Sequence, residues 1–242
     1  IISPKEFIQK HGADVFRYYM CQTRAGVDIN FSWDECVVKQ RNLHILWNMH
    51  KLVLNIAKEI EVNPAELNIS EDRLGVEEQY IFSKLHSTVQ EVSKLLEEYK
   101  LDEIIAPIEN LFLELSRTYM QLVREKSSVG EQEDKEVVLY TVYTVLLSTI
   151  KMFQIISPFI CEAIYLNFKE TFSLKEASVS HYTWPEVNKE LIDTQLEKEM
   201  ASAKQVIQAI LHAREQAKLG VRWPVKEVVV ITQDAEPFTL LQ

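Results

Sequence analysis

Apolar residues recur at steps of three and four along most of this chain of 242 residues, which is the spacing of one face of an α-helix. The pattern is clearest over residues 34–60. Only five glycines and seven prolines are present, too few for a turn-rich β architecture. We therefore predict an all-α helical bundle. The predicted helices cover residues 34–60, 76–100, about 102–126, 135 to at least 153, 157 to about 168, and 191–219.

Two of these helices have apolar faces that define which side is expected to meet the core. For the helix over 34–60, the predicted core residues are Val38, Ile45, Met49, Leu52, Val53, Ile56 and Ile60. For the helix over 102–126, they are Ile108, Leu111, Phe112, Leu115, Tyr119 and Leu122.

Residues that favour helix ends divide the first part of the chain into short helices. The string Ser3-Pro4-Lys5-Glu6 has the spacing of a capping box around a favoured first-turn proline, so a helix is expected to begin at Pro4. Gly12 suits the left-handed residue that ends it, and Asp14 is predicted to cap the helix that follows. Ser32-Trp33-Asp34-Glu35 repeats the capping spacing before the long helix.

The end of the sequence differs from the rest. Residues 226–232 read KEVVVIT, a short β-branched run that predicts one strand. A single strand needs a partner, so the bundle is expected to end in the first strand of a following α/β region. The predicted domains are a connector over 1–33, a bundle over 34–190, and a long helix with the start of a junction domain over 191–242.

Several strings near the amino terminus carry a family resemblance. They are Ile2-Ser3-Pro4, Gly12-Ala13-Asp14-Val15-Phe16-Arg17, Phe31-Ser32-Trp33-Asp34-Glu35 and Leu46-Trp47-Asn48. In order and spacing they resemble the segment of class I aminoacyl-tRNA synthetases that follows the KMSKS loop, in the isoleucine, valine and leucine group. That resemblance implies an anticodon-binding helical bundle.

Strings further along the chain indicate which enzyme of that group the sequence resembles most. They are Ser116-Arg117-Thr118-Tyr119, Ser157-Pro158-Phe159, Trp184-Pro185 and residues 222–230. These resemble isoleucyl-tRNA synthetases of the archaeal and eukaryotic type. Two alternatives stay open: the equivalent domain of a valyl or leucyl enzyme, and a structural helical connector between catalytic and carboxyl-terminal domains.

Net charge argues against indiscriminate nucleic-acid binding. The chain has 26 Lys and Arg against 36 Asp and Glu, a net charge of −10, whereas nonspecific affinity for phosphate comes from many cations. A local basic surface is still sufficient for binding. The polar side of the helix over 34–60 is such a candidate, because no acid interrupts its series. The series is His44, Trp47, Asn48, Lys51, Asn55 and Lys58.

That polar side combines cations, amides and an aromatic ring, as binding to unstacked RNA loops requires. The alternative is a solvated helix face with Trp47 packed on a neighbouring helix. Lys39, Arg41 and Asn42 lie near the amino end of the same helix, where partial positive charge favours phosphate. Asn42 also falls on the apolar stripe, and a buried asparagine is its alternative.

By the resemblance, the tRNA-binding residues are expected at the polar side and at one further arginine. Arg117 belongs to the SRxY string, although compensation of a helix dipole explains it equally well. The predicted set is Lys39, Arg41, Asn42, His44, Trp47, Asn48, Lys51 and Arg117.

No motif for catalysis or metal binding is found, and the three cysteines and six histidines lack the spacings of metal ligands. We therefore expect no catalytic residue, no metal site and no cofactor in this stretch of sequence, and no membrane span. By the resemblance, catalytic and editing modules precede residue 1 in an enzyme that joins isoleucine to its tRNA in the cytoplasm, using ATP and Mg²⁺. Its expected partners are the isoleucine-specific anticodon stem-loop and the catalytic and carboxyl-terminal domains of the same polypeptide.

Overall fold

A computed structural model describes residues 3–24, 26, 28 and 30–230, and the described residues contain helices and no strand. The all-α prediction is therefore confirmed. The chain forms two compact units, Ile1–Ile192 and Asp193–Gln242. The helices of the first unit are α1 (Pro4–His11), α2 (Ala13–Met20), α3 (Trp33–Ile60), α4 (Val76–Glu97), α5 (Ile105–Glu114), α6 (Met120–Leu122), α7 (Arg124–Ser128), α8 (Gln132–Phe153) and α9 (Pro158–Phe172).

The core of the first unit is built around α8, which packs against α3, α4, α5, α7 and α9. Within the described residues, α8 is the one helix with the length and apolar composition of a membrane span, and 67% of that apolar stretch is buried inside the fold. Burial on most sides explains its near-continuous apolar sequence. The same composition is expected of the central helix of a bundle.

The buried face of α3 is broader than the predicted stripe and is rotated from it. Val38 was expected in the core but is 48% exposed, whereas Leu43 and Leu46 are buried. The physical reason is that α2, α5, α8 and α9 all pack on this helix. A helix enclosed from several directions buries a wide arc, so the part left to solvent is narrow.

Two of the predicted helix ends are confirmed at atomic detail. Ser32 Oγ accepts a hydrogen bond from the backbone N–H of Glu35 at 3.3 Å, as expected of an N-cap. Gly12 has φ of +86° and its N–H donates to the Ile8 carbonyl, so a residue with a side chain would be strained there.

The predicted role of Asp14 as the cap of α2 is wrong. Gly12 occupies the cap position of α2, and the Asp14 carboxylate instead accepts hydrogen bonds from the backbone N–H groups of Phe159 (3.3 Å) and Ile160 (2.7 Å) in the first turn of α9. Helix amino ends leave such N–H groups without partners. Asp14 therefore caps a helix that lies 145 residues away in sequence.

Arg17, one turn after Asp14, donates hydrogen bonds to backbone carbonyls just after the carboxyl end of α8. Its Nε donates to the Ile156 carbonyl at 2.8 Å and its Nη2 donates to the Ile155 carbonyl at 3.0 Å, just beyond the end of α8. Acid on an amino end and base on a carboxyl end are both favourable arrangements. We call Asp14 and Arg17, with the backbone groups that they bind, the corner clamp.

The single helix predicted over 102–126 is also wrong, because a π-helical turn at Leu115–Tyr119 separates α5 from α6. A π turn contains one more residue than an α turn. The apolar face is consequently displaced by one position: Leu122, expected in the core, is 43% exposed, and Val123 is fully buried instead.

The second unit contains α10 (Thr194–Gln216), whose first turn is capped by Asp193 Oδ1 through the N–H groups of Gln195 (3.0 Å) and Leu196 (2.9 Å). Residues 226–230 have no regular structure. The predicted strand is therefore not observed over these five residues, and residues 231 and 232 lie outside the described part of the chain.

Substituting Asp14 by alanine tests the corner clamp. We expect Asp14→Ala to lower the free energy of unfolding by about 1–2 kcal/mol, because two N–H groups in the first turn of α9 lose their acceptor. Asp14→Asn, which retains one acceptor oxygen, is expected to cost less. Chemical denaturation measures the change, with Asp72→Ala at an exposed aspartate as the control. Equal losses at positions 14 and 72 would contradict this role.

Candidate nucleic-acid interface

The part of α3 left uncovered by its neighbours carries a continuous row of polar side chains. We call this row the exposed strip. It spans about 25 Å of helix at 1.5 Å per residue. Each member is exposed, and no hydrogen bond or ion pair to another described side chain is found at any of them. The exposed strip consists of Arg41, His44, Asn48, Lys51, Asn55 and Lys58.

The cations of the exposed strip differ from several other cations of the first unit, which have carboxylate partners. Lys135 pairs with Glu59 at 2.6 Å, and Lys126 lies 3.3 Å from Glu78. From residue 36 to residue 58 the sequence contains no acid. The exposed strip is consequently a local cationic surface on a chain of net negative charge, and it offers unpaired donors to an anion.

Lys39, which was predicted as a tRNA contact, is placed by the structure inside the fold. Its Nζ lies 2.6 Å from Glu109 Oε2 on α5 and 4.5 Å from the centre of the Tyr18 ring, and its side chain is 11% exposed. The Tyr18 hydroxyl donates to the same Glu109 oxygen. These contacts join α2, α3 and α5, so Lys39 stabilises the bundle and does not belong to the exposed strip.

Asn42 is 3% exposed and lies beside the Tyr18 hydroxyl. The buried alternative for this residue is therefore the observed one. Burial and the Glu109 carboxylate raise the pKa of Tyr18, and the Asn42 amide opposes them. The helix-end argument for phosphate binding fails as well, because α3 begins at Trp33 and two carboxylates already occupy its first turn.

Trp47 lies on the border between the exposed strip and the core. It is partly buried and packs on the core, its ring centre lies 4.2 Å from that of His50, and the Lys51 Nζ lies 5.9 Å from the centre of the indole. The sequence allowed a ring exposed for RNA stacking or a ring packed on a neighbouring helix, and Trp47 is partly both. The indole is held by neighbours while one side stays open to solvent.

His50, which the sequence analysis did not select, holds Trp47 from beneath. It is 1% exposed, its Nδ1 bonds to the Trp47 carbonyl, and its Nε2 lies 3.1 Å from Asn167 Nδ2 on α9. Since Asn167 Nδ2 is a donor, Nε2 must accept and Nδ1 must carry the proton. Burial lowers the pKa of His50. Its position three residues after Trp47, on the buried arc, was the available signal.

Arg117 is exposed but stands apart from the exposed strip. It belongs to the π-helical turn, which packs against α4, α5 and α6. No described hydrogen bond or ion pair links Arg117 to α3. The structure thus brings Arg41, His44, Trp47, Asn48 and Lys51 together on one surface.

The chemistry offered by this surface is recognition. Guanidinium and ammonium groups donate to phosphate, the amides of Asn48 and Asn55 offer both donors and acceptors to base edges, and the open side of Trp47 offers an aromatic contact. Among the described residues, no group of three or more His, Cys, Asp or Glu is placed to hold a metal ion.

Comparison with known proteins identifies a family. The profile described as the anticodon-binding domain of tRNA ligase matches residues 78–230. The exposed strip precedes that match, but alignments with individual relatives include it. The isoleucine–tRNA ligase of Methanocella arvoryzae is 32% identical over 248 aligned positions and covers all of this chain. That of Thermococcus kodakarensis is 35% identical and covers 97%.

The chain spans 22% of the length of these two relatives. A structural comparison supports the fold. The agnB2 LeuRS of Agrobacterium radiobacter K84, solved in a ternary complex with tRNA and LeuAMS, superposes with a TM-score of 0.56. It is 19% identical, and the match covers 80% of this chain and 22% of that one.

Replacing Lys39 is expected to change stability. Lys39→Met leaves the mostly buried Glu109 carboxylate without its cation, so we expect the free energy of unfolding to fall by about 3 kcal/mol. Lys39→Met with Glu109→Gln removes both charges and keeps an acceptor for Tyr18, and is expected to regain part of the loss. Thermal and chemical unfolding measure both variants. A double variant less stable than Lys39→Met would contradict the pairing.

The buried neutral state of His50 predicts a pH dependence of stability. Because its pKa is lowered in the folded chain, the unfolded chain binds the proton more readily. This contribution to stability is fully present above the unfolded pKa of about 6.5 and is lost as the pH falls from there towards the folded pKa. Unfolding free energies from pH 7 to pH 5 should therefore decrease less steeply in His50→Gln than in the wild type. His44→Gln, at an exposed histidine of α3, is the control, and equal slopes for wild type and His50→Gln would refute the assignment.

Proposed function

Since the chain belongs to the family of anticodon-binding domains of tRNA ligases, we propose that it binds the anticodon stem-loop of an isoleucine tRNA through the exposed strip of α3 and Trp47. The observation that carries the proposal is the unpaired state of the cations on this strip in a chain of net charge −10. Phosphate contacts by Arg41 and Lys51 fix the position of the loop, and contacts to unstacked bases supply discrimination.

The choice of isoleucine is supported by the names of the relatives that align with nearly the whole chain. We keep Arg117 in the proposal as a separate, peripheral phosphate contact, since it is exposed and unpaired among the described residues. Lys39 and Asn42 are proposed to act on tRNA binding only through the shape of α3.

The chemical step is proposed to take place elsewhere in a longer enzyme, in which catalytic and carboxyl-terminal domains are the other partners and the compartment is the cytoplasm. ATP and Mg²⁺ are the cofactors of that enzyme. We propose that they bind outside the residues described in this chain. Residues 226–232 are proposed to become a strand when the following domain supplies its partner.

A double charge reversal tests the exposed strip. We expect Arg41→Glu with Lys51→Glu to bind an isoleucine anticodon stem-loop about 10- to 100-fold more weakly than the wild type at moderate salt, with a reduced dependence of affinity on salt. Fluorescence anisotropy with the full chain measures both. Both residues are solvent-exposed, so the variant is expected to fold normally, which circular dichroism checks.

The matched control is Arg124→Glu with Lys189→Glu, which makes the same change of charge at two exposed cations outside α3. If the control loses as much affinity as the strip variant, the effect is one of net charge and the strip is not the site. A valine anticodon stem-loop tests specificity. Equal affinity for the two RNAs would leave a structural connector, or a domain that reads no bases, as the better description.

A further inference from the structure

We propose that the groove at the carboxyl end of the exposed strip holds one extruded nucleobase of the bound loop, and that it prefers a base with an amino group. This inference rests on the proposed function, because the base arrives as part of an RNA already held by the strip. The groove lies within the first unit, between the last turns of α3 and α9, and has a volume of about 440 Å³. Sites for small ligands fall in a range of about 300–1,000 Å³.

The floor of the groove is apolar. Leu54 and Ala57 on α3, Val62 after it, and Phe172 on α9 line it. Ala57 and Phe172 are each 5% exposed, so these two side chains are fixed by the core. A planar base gains by covering such a surface, because every base has an apolar π-face.

The rim of the groove is polar and unpaired. Asn55, Lys58, Glu61 and Thr171 surround the opening, all four are exposed, and none makes a hydrogen bond or ion pair with another described side chain. Asn55 and Lys58 are also the last two members of the exposed strip. The strip therefore leads into the groove without an interruption, and Lys58 is placed for the phosphate of the nucleotide whose base enters.

The wall beside Glu61 is held in a defined shape. Glu61 ends α3 with φ of +56°, which turns the chain across the end of the helix. Asn63 then fixes the turn, because its Nδ2 donates to the Phe172 carbonyl at 3.3 Å and its Oδ1 accepts from the Ala65 N–H at 3.1 Å. The groove is consequently preformed, which reduces the ordering cost of binding.

The carboxylate of Glu61 determines the preference. An ionised carboxylate only accepts hydrogen bonds and repels phosphate, so the phosphate remains at Lys58 and the base edge turns to Glu61. Amino groups of cytosine, guanine or adenine donate to such an acceptor, and a Glu–cytosine N4 contact is an established pairing in base recognition. Uracil presents carbonyl oxygens at the corresponding positions and has only its ring N3–H to donate, so it is disfavoured.

The groove is tested by filling it. Thr171→Trp places an indole at the opening, and Glu170→Trp places the same side chain on the exposed neighbouring position of α9 as a control. The full chain of each variant is titrated with an anticodon stem-loop and with a series of the same RNA that carries one abasic nucleotide at each loop position. We expect one abasic position to weaken wild-type binding about tenfold. Thr171→Trp is expected to bind the intact RNA with that weakened affinity and to be insensitive to the abasic change.

The base preference is tested at the position so identified. Glu61→Gln is expected to weaken RNAs with an amino-bearing base there more than an RNA with uracil, and to leave thermal stability unchanged. The groove inference is overturned if Thr171→Trp binds intact RNA as tightly as the wild type does. It is also overturned if every abasic RNA binds Thr171→Trp more weakly than intact RNA does, by the same factor as for the wild type, or if no abasic position lowers the affinity of the wild type. In those outcomes the strip stands if Arg41→Glu with Lys51→Glu still loses affinity. Failure of the wild type to bind any stem-loop overturns both proposals.

Discussion

The corner clamp is the interaction on which the arrangement of the first unit depends. Between α8 and α9 the chain presents the carbonyls of the connecting turn and the N–H groups of the first turn of α9, and such groups need partners. Arg17 and Asp14 satisfy the two sets from a single turn of α2. The position of α9 follows, and α9 supplies Asn167 beneath Trp47 and Phe172 in the floor of the groove.

The helical class, most helix boundaries and the exposed strip were predictable because they follow from local spacing. Ser32 capped the helix that its sequence indicated, and the polar side of α3 that carries Asn48, Lys51 and Lys58 faces solvent. The partner of Asp14 was not predictable, since a capping aspartate satisfies any helix end that packs against it. Nor was the burial of Lys39: only the position of Glu109, 70 residues away, converts an apparent surface lysine into an internal ion pair.

Charge segregation explains how an acidic chain presents a surface for an anion. Several cations of the first unit, among them Lys39, Lys126 and Lys135, are held by carboxylates, and their field is cancelled locally. Those of the exposed strip have no such partner, so their field extends into solvent over the distance that salt allows. Total charge governs solubility, whereas pairing governs which surface attracts a polynucleotide.

The sequence separation of the corner clamp also determines when α2 can be fixed during synthesis. Asp14 leaves the ribosome first, but its acceptors are used only after Ile160, 146 residues later, has emerged. At translation rates of about 5–20 residues per second, this interval is roughly 7–30 s. During that interval α2 can pack on α3 but not yet on α9, so the surface that α9 covers in the finished fold stays exposed.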